Sequence, residues 1–274
     1  MRIVRLIGTG ALLLVAWLSR HAGDRWFYRP DAVDHGTPES YGLDVVEVRF
    51  GTERAHAAQL AGACRGRAPR ARSSTRMAIM PTSHHARFVA WLPRRGYDLL
   101  LFDYRGFGKS AGTVSRAGTV ADTIAAIDFA LARDGERTFV FGHSLGGALA
   151  IVAAASRPAV RAVVVESTFP SYRAAARRTV PWLGALATWL VSPGFDPADV
   201  IDQISPRPLL IIHGASDHIT PVELGKKLFA AACEPKRLWI VEGAAHESAW
   251  VRERRAFETE ILSFFAAAPA SAAR

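Results

Sequence analysis

The stretch Phe139-Val-Phe-Gly142-His143-Ser144-Leu145-Gly146-Gly147 constrains this chain more than any other. An apolar run with strand character, Thr138 to Gly142, passes without a spacer into a helical pattern from Gly147 to Ser156. A serine stands at the turn, in the Gly-x-Ser-x-Gly arrangement. A strand-to-helix turn this tight strains the serine backbone, and side chains two residues either side would collide; Gly142 and Gly146 remove them. The turn lifts the Ser144 hydroxyl above the sheet and aims the N–H of Leu145 at the place where a substrate oxyanion would form. A serine hydroxyl is a poor nucleophile unless a base takes its proton, so a histidine and an orienting acid are expected further along.

Two downstream segments supply them. Ile211-Ile-His213-Gly-Ala-Ser-Asp217 puts Asp217 just past a buried strand, and Val241-Glu-Gly243-Ala-Ala-His246 puts His246 just past the last one. Both positions fall at the carboxyl edge of a parallel sheet, where ligands bind in open α/β folds. Asp217 could instead be an ordinary loop or capping acid. Glu166, at the end of the preceding strand, is the second candidate for the acid. His143, His213 and His218 are less suited as the base, the first standing beside the serine and the others flanking Asp217.

The body of the chain alternates short apolar runs with helical patterns, which predicts an α/β fold with a mostly parallel sheet. Strands are expected at Val45–Phe50, Tyr97–Asp103, Val160–Glu166, Pro208–His213 and Arg237–Glu242, and helices at His85–Arg95, Thr119–Arg133 and Ala249–Ala266. Half of the 274 residues are hydrophobic, too many for a disordered chain. Two cysteines, Cys64 and Cys233, make no disulfide framework. The formal charge of +9 is concentrated in residues 54–83, which carry six arginines and no Asp, Glu or Lys; without them it falls to +3. With no recognition helix, zinc-ligand spacing or basic–aromatic repeat either, nucleic-acid binding is not expected.

With its serine turn, Phe102-Asp-Tyr-Arg-Gly-Phe-Gly-Lys-Ser110, His213-Gly-x-x-Asp217 and Gly243-x-x-His246, the chain resembles the α/β-hydrolase superfamily from about Tyr41 to Phe265. It is most similar there to single-domain serine esterases, thioesterases and lysophospholipase-like proteins with an amino-terminal hydrophobic anchor. The resemblance implies a triad of Ser144, Asp217 and His246, no metal and no organic cofactor. It also implies a purely structural turn at Asp103-Tyr-Arg-Gly. The expected reaction is hydrolysis of a carboxylic ester or thioester of a small or lipid-like acyl substrate. A serine peptidase of the same fold and a catalytically impaired, membrane-tethered pseudohydrolase are the alternatives.

Residues 54–83 depart from that pattern. The family would have two strands there, the second ending in His-Gly, with a second oxyanion donor in the loop that follows. From Glu53 to Arg76 the chain is rich in Ala, Arg, Gly and Ser, with neither strand nor helix periodicity. The codons of Met77–Ser83, read from one nucleotide upstream, permit His-Gly-Asn-x-Ala-Asn-Ile, and family-like sequence resumes at about His84. A segment translated out of frame is therefore expected. One or two strands would be missing or disordered, leaving a gap between Tyr97–Asp103 and Thr138–Gly142, and the second oxyanion donor would be lost.

Two further regions complete the layout. Met1–Arg5 leads into the apolar run Leu6–Leu18, which predicts a signal-anchor over residues 1–22 and a membrane-anchored protein, or a secreted or periplasmic one if the segment is cleaved. The hydrolase domain is expected over 41–266, with a helical cap at 167–206 and a disordered tail at 267–274. The cap holds Trp182, Leu183, Leu186, Trp189, Leu190 and Val191, which either roof the site or pack as core. Arg173, Arg177 and Arg178 beside it read as a solvated face.

Overall fold

The computed structural model describes residues 27–28, 41–50, 56–62, 76–81, 88–108, 110–179 and 191–269. Among the described residues eight strands form one sheet: β1 Asp44–Phe50, β2 His56–Gly62, β3 Arg76–Pro81, β4 Tyr97–Phe102, β5 Thr138–His143, β6 Ala162–Glu166, β7 Leu209–Gly214 and β8 Lys236–Val241. Their spatial order is β1-β2-β4-β3-β5-β6-β7-β8. The β1–β2 and β2–β4 pairs are antiparallel, and every pair from β4 onward is parallel.

The central strands are continuous apolar runs because both of their faces are covered. Leu100, Phe102, Val140, Val163, Val165, Leu209 and Ile211 belong to one core cluster. Leu99, Leu101, Phe139, Phe141, Ala162, Val164, Leu210 and Ile212 belong to the other. The strict alternation is the two-residue period of a pleated strand. Helices α1 Arg116–Asp134, α2 Leu145–Ala155 and α4 Val222–Ala231 cover the first face. α6 Arg254–Ala267 covers the second through Phe257, Ile261, Phe264 and Phe265. Between them in sequence lie α3 Tyr172–Thr179 and the short α5 Ala249–Arg252.

The gap expected in the sheet is not there. β3 lies between β4 and β5, with Ile79 opposite Leu100 on one side and Val140 on the other. β2 pairs with β1 along its whole length and with Phe102–Leu99 of β4. The physical reason is that a ladder is made by backbone groups, which every non-proline residue carries. Two flanking strands present rows of donors and acceptors that would otherwise be buried unpaired, and that cost drives pairing even where side-chain periodicity is lacking.

Three other expectations shift. Within 88–95 there is no α-helix but a series of turns ending in a 3-10 helix, Leu92–Arg95. Pro93 cannot donate to the carbonyl four residues back, and Val89 O accepts from Leu92 N–H instead, at 2.9 Å. The terminal helix is interrupted at Glu253, and it runs to Ala267. Ala268 beyond it is buried, with its carbonyl accepting from Arg161, so the packed body extends past the boundary set at 266. The rest of the tail (270–274), the anchor (1–22) and the aromatic part of the cap (180–190) lie outside the described residues. Among the described residues, no helix is long and apolar enough to cross a membrane.

The Asp103-Tyr-Arg-Gly turn has the structural role expected of it. Arg105 donates through Nε and Nη2 to Asp122 on α1, the shortest contact being 2.6 Å, and its backbone N–H reaches the same carboxylate at 2.9 Å. That carboxylate is fully buried, so the pair pins the exit of β4 onto the helix layer.

Candidate active site

Ser144 stands between the last residue of β5 and the first of α2, with φ 52° and ψ −118°. A non-glycine residue in this region is strained, and such strain concentrates at working sites. The surroundings leave no alternative. A Cβ on Gly142 would lie 2.5 Å from the carbonyl of Gly146, and one on Gly147 would lie 2.8 Å from Cβ of Thr168. Gly147, the second glycine after the serine, was not assigned a role from the sequence, yet its bareness lets β6 approach the turn. Gly146 is buried in the first turn of α2.

The strand beside the turn holds it on both sides. Ser144 N–H donates to the Glu166 carbonyl at 2.8 Å, and the Thr168 hydroxyl donates to the Ser144 carbonyl at 2.8 Å. Leu145 provides the first N–H of α2, one of the groups that a helix start leaves without an intrahelical partner. The loop after β3, where the second oxyanion donor of the family is expected to be lost, lies outside the described residues.

Ser144, His246 and Asp217 come together although 73 residues separate the first from the last and 29 the last from the histidine. His246 Nε2 is 2.9 Å from Ser144 Oγ, and His246 Nδ1 is 2.8 Å from Asp217 Oδ2. The carboxylate is completely buried and the imidazole nearly so. With Nδ1–H donating to the carboxylate, Nε2 is left as the acceptor for the serine proton.

The two oxygens of the Asp217 carboxylate face different partners. Oδ1 accepts from Ile219 N–H at 2.9 Å and Thr220 N–H at 2.8 Å, folding the local turn. Oδ2 faces the imidazole. Burial alone would push this acid up. Hydrogen bonding from His213 and His246, the charge His246 carries when protonated, and the Thr220 N–H outweigh it and hold the carboxyl far below the usual carboxylate range. The His213 contact is the looser one: its Nε2 lies 3.5 Å from Oδ2, and its N–H is directed at the Thr220 carbonyl at 2.7 Å.

Glu166, the second candidate acid, does not reach the imidazole by any hydrogen bond. It is fully buried, and neither oxygen has a hydrogen-bond partner among the described residues. Burial and, behind it, the negative charges of Asp217 and Glu247 push it up to about 8. It is therefore a neutral acid at pH 7.

The histidines set aside from the sequence also touch the site. His143 Nε2–H donates to the backbone carbonyl of His246 at 3.0 Å, its ring stacks on Phe88 at 5.2 Å, and its edge meets the His246 ring. His213 holds the far end of the Asp217 turn. His218 is exposed. Among the described residues no cluster of His, Cys, Asp and Glu could hold a metal ion.

The fold is that of the α/β hydrolases. Among solved structures, the Pyrococcus furiosus esterase Pf2001 superposes with a TM-score of 0.70 at 18% identity, covering 86% of this chain and 96% of its own. The family described as Serine aminopeptidase, S33 matches residues 82–206, a stretch that includes Ser144 but ends before Asp217 and His246. In sequence the chain is similar to YfhR of Escherichia coli O157:H7, with 38% identity over 192 residues, 68% of this chain and 66% of that protein. It is also similar to the lysophosphatidylserine lipase ABHD12 of Xenopus tropicalis, with 31% identity over 176 residues, 57% of this chain and 44% of that protein. Against the YfhR proteins the chain spans between 60% and 66% of their length.

Proposed function

We propose that this protein is a serine hydrolase that cleaves carboxylic ester or thioester bonds through an acyl-enzyme. The observation that carries the reading is the unbroken line Ser144 Oγ, His246 Nε2, His246 Nδ1, Asp217 Oδ2, with both contacts shorter than 3 Å. His246 takes the serine proton as Oγ attacks the acyl carbonyl, then returns it to the leaving alcohol or thiol. Asp217 keeps the ring in the tautomer that leaves Nε2 open and stabilises the imidazolium. The Leu145 N–H, at a helix start, is the donor for the tetrahedral oxyanion. A second cycle with water releases the acid. None of these steps needs a metal or an organic cofactor.

A lipid-like acyl substrate is supported by the likeness to a lysophosphatidylserine lipase and by the hydrophobic segment at residues 1–22, which we read as a membrane anchor. A peptidase reading has one observation in its favour, the family description over residues 82–206. The composition of residues 54–83 is read as the product of an out-of-frame stretch, and sequencing the gene for paired compensating insertions and deletions tests that directly.

A fluorophosphonate probe tests the central claim. Labelling of the full chain that disappears in Ser144→Ala is the expected result, and labelling that persists in the variant refutes the assignment. Hydrolysis of p-nitrophenyl acyl esters without hydrolysis of amino-acid anilides then favours the esterase over the peptidase. A folded chain that neither labels nor hydrolyses is the pseudohydrolase.

A further inference from the structure

The residue three places after Asp217 occupies the point where the acid, the base and strand β6 meet. Thr220 Oγ1 lies 2.8 Å from Asp217 Oδ2, 3.0 Å from His246 Nδ1 and 2.9 Å from the carbonyl of Ser167. Thr220 is itself buried, so bulk water does not compete for these contacts. Its single hydroxyl proton is shared between two acceptors, the Ser167 carbonyl and the Asp217 carboxylate, in a three-centre arrangement. The lone-pair side is left toward the Nδ1–H of the imidazole.

The Ser167 carbonyl is not there by default. Ser167 has φ 49°, in the left-handed region that non-glycine residues seldom occupy. Its own hydroxyl is buried with no hydrogen-bond partner among the described residues. Backbone strain and an unsatisfied side chain coincide at the residue whose carbonyl meets Thr220. The flanking residues hold the nucleophile: Glu166 through its carbonyl to Ser144 N–H, and Thr168 through its hydroxyl to the Ser144 carbonyl. Three consecutive residues at the exit of β6 thus grip the serine turn with the outer two and the acid–base pair with the middle one.

We infer that Thr220 is a positioning residue of this site, its side-chain oxygen fixing the rotation of the Asp217 carboxylate and the His246 imidazole relative to the strand that holds Ser144. The inference rests on the serine-hydrolase reading above. Thr220 touches no reacting atom; it acts through the pair. Removing the oxygen takes one of the two side-chain contacts off Oδ2, leaving the carboxylate rotation to the Oδ1 bonds from Ile219 and Thr220 N–H, and takes away the second acceptor facing Nδ1–H. The ring then loses the alignment that keeps Nε2 on the serine, and a small misplacement of this kind is costly in rate.

Thr220→Val keeps the shape and deletes the oxygen, and Thr220→Ser keeps the oxygen and deletes the methyl. With p-nitrophenyl acyl esters and the full chain, Thr220→Val is expected to lose about 10- to 100-fold in kcat at nearly unchanged KM. Thr220→Ser is expected to stay within about threefold of the parent, and the same ranking should hold for the rate of fluorophosphonate labelling. A merely structural role would lower the melting temperature and the yield of active sites in both variants without separating their kcat per labelled site. Equal kcat in Thr220→Val and parent overturns the inference. If the valine chain does not fold, Thr220→Ser decides alone, and a kcat more than about tenfold down with the hydroxyl retained overturns it. Ser144→Ala in parallel separates the two levels: if it still labels, the hydrolase reading fails, and if it does not while Thr220→Val is unimpaired, only the positioning role fails.

Discussion

Glu166 is the most costly residue near the site to keep. A fully buried carboxyl with no hydrogen-bond partner among the described residues is stable only as the neutral acid, and its pKa of about 8 expresses that. The consequence for stability has a definite sign. Unfolded, this acid ionises near 4.5; folded, it holds its proton to about 8. Between those values the native state binds the extra proton, so this group's contribution is fully present below pH 4.5 and is lost as pH rises through 8. The slope is about 1.4 kcal/mol per pH unit at most. Glu166→Gln, which stays neutral throughout, is expected to flatten the decline in urea-unfolding free energy across that window. Parallel curves for parent and variant would mean that Glu166 is charged, or hydrated, in the native protein. At this scale the sequence points to Ser144, Asp217 and His246, which lie within hydrogen-bond reach of one another, because each has a fixed place at a strand end and the proposed chemistry demands its residue type. Thr220, Ser167 and His143 were not legible. Their roles come from meeting partners up to 103 residues away, and nothing local in Ser-Thr or Asp-x-x-Thr announces that.

Among the elements, β3 carries the sharpest contrast between sequence and structure. Strands β5, β6 and β7 could be read directly, since burial on both faces writes an unbroken apolar run. Arg76–Pro81 holds only a short one, Met77–Met80, directly behind the Ala- and Arg-rich stretch, and its place in the sheet comes from two neighbours that need pairing. The turns before β4 read as a helix in the sequence because Phe88, Val89 and Leu92 do share a buried cluster, and Pro93 is the signal against it. The position of β3 can be tested at Ala78, which has no exposure and lies beside Leu99 and Phe139 in the ladders. Ala78→Asp puts an unpaired carboxylate into the apolar layer on one face of the sheet, at a cost of several kcal/mol, against a total stability of about 5–15 kcal/mol for a domain. The variant is expected to be insoluble or unfolded by circular dichroism, while Ala78→Gly remains folded with a lowered melting temperature. An Ala78→Asp chain that melts like the parent would remove β3 from the middle of the sheet.

Taken as a whole, the molecule has a direction set by where its amino-terminal end is tied. Phe27 packs against Tyr172 and Phe169, at centroid distances of 5.1 and 6.2 Å, and the buried Tyr28 bonds through its hydroxyl to Tyr172 at 3.0 Å and Thr119 at 3.1 Å. Phe169 directly follows Thr168, the residue that holds the Ser144 carbonyl. Five residues separate Phe27 from the end of the proposed anchor at 22, and a chain that short reaches no more than about 18 Å. If residues 1–22 are embedded in a bilayer, Phe27, and with it the start of α3 that it packs against, is held close to the lipid. A tethered site meets a membrane-borne ester at a high effective concentration, worth about 10² or more in rate without any new contact. The full chain is therefore expected to sediment with membranes, to resist high salt and to be released by detergent. Removing residues 1–22 should leave turnover of a soluble p-nitrophenyl ester unchanged and depress hydrolysis of a vesicle-embedded ester about 100-fold. Release by salt alone, or equal rates of both chains on the embedded ester, would separate the hydrophobic segment from the function of the site.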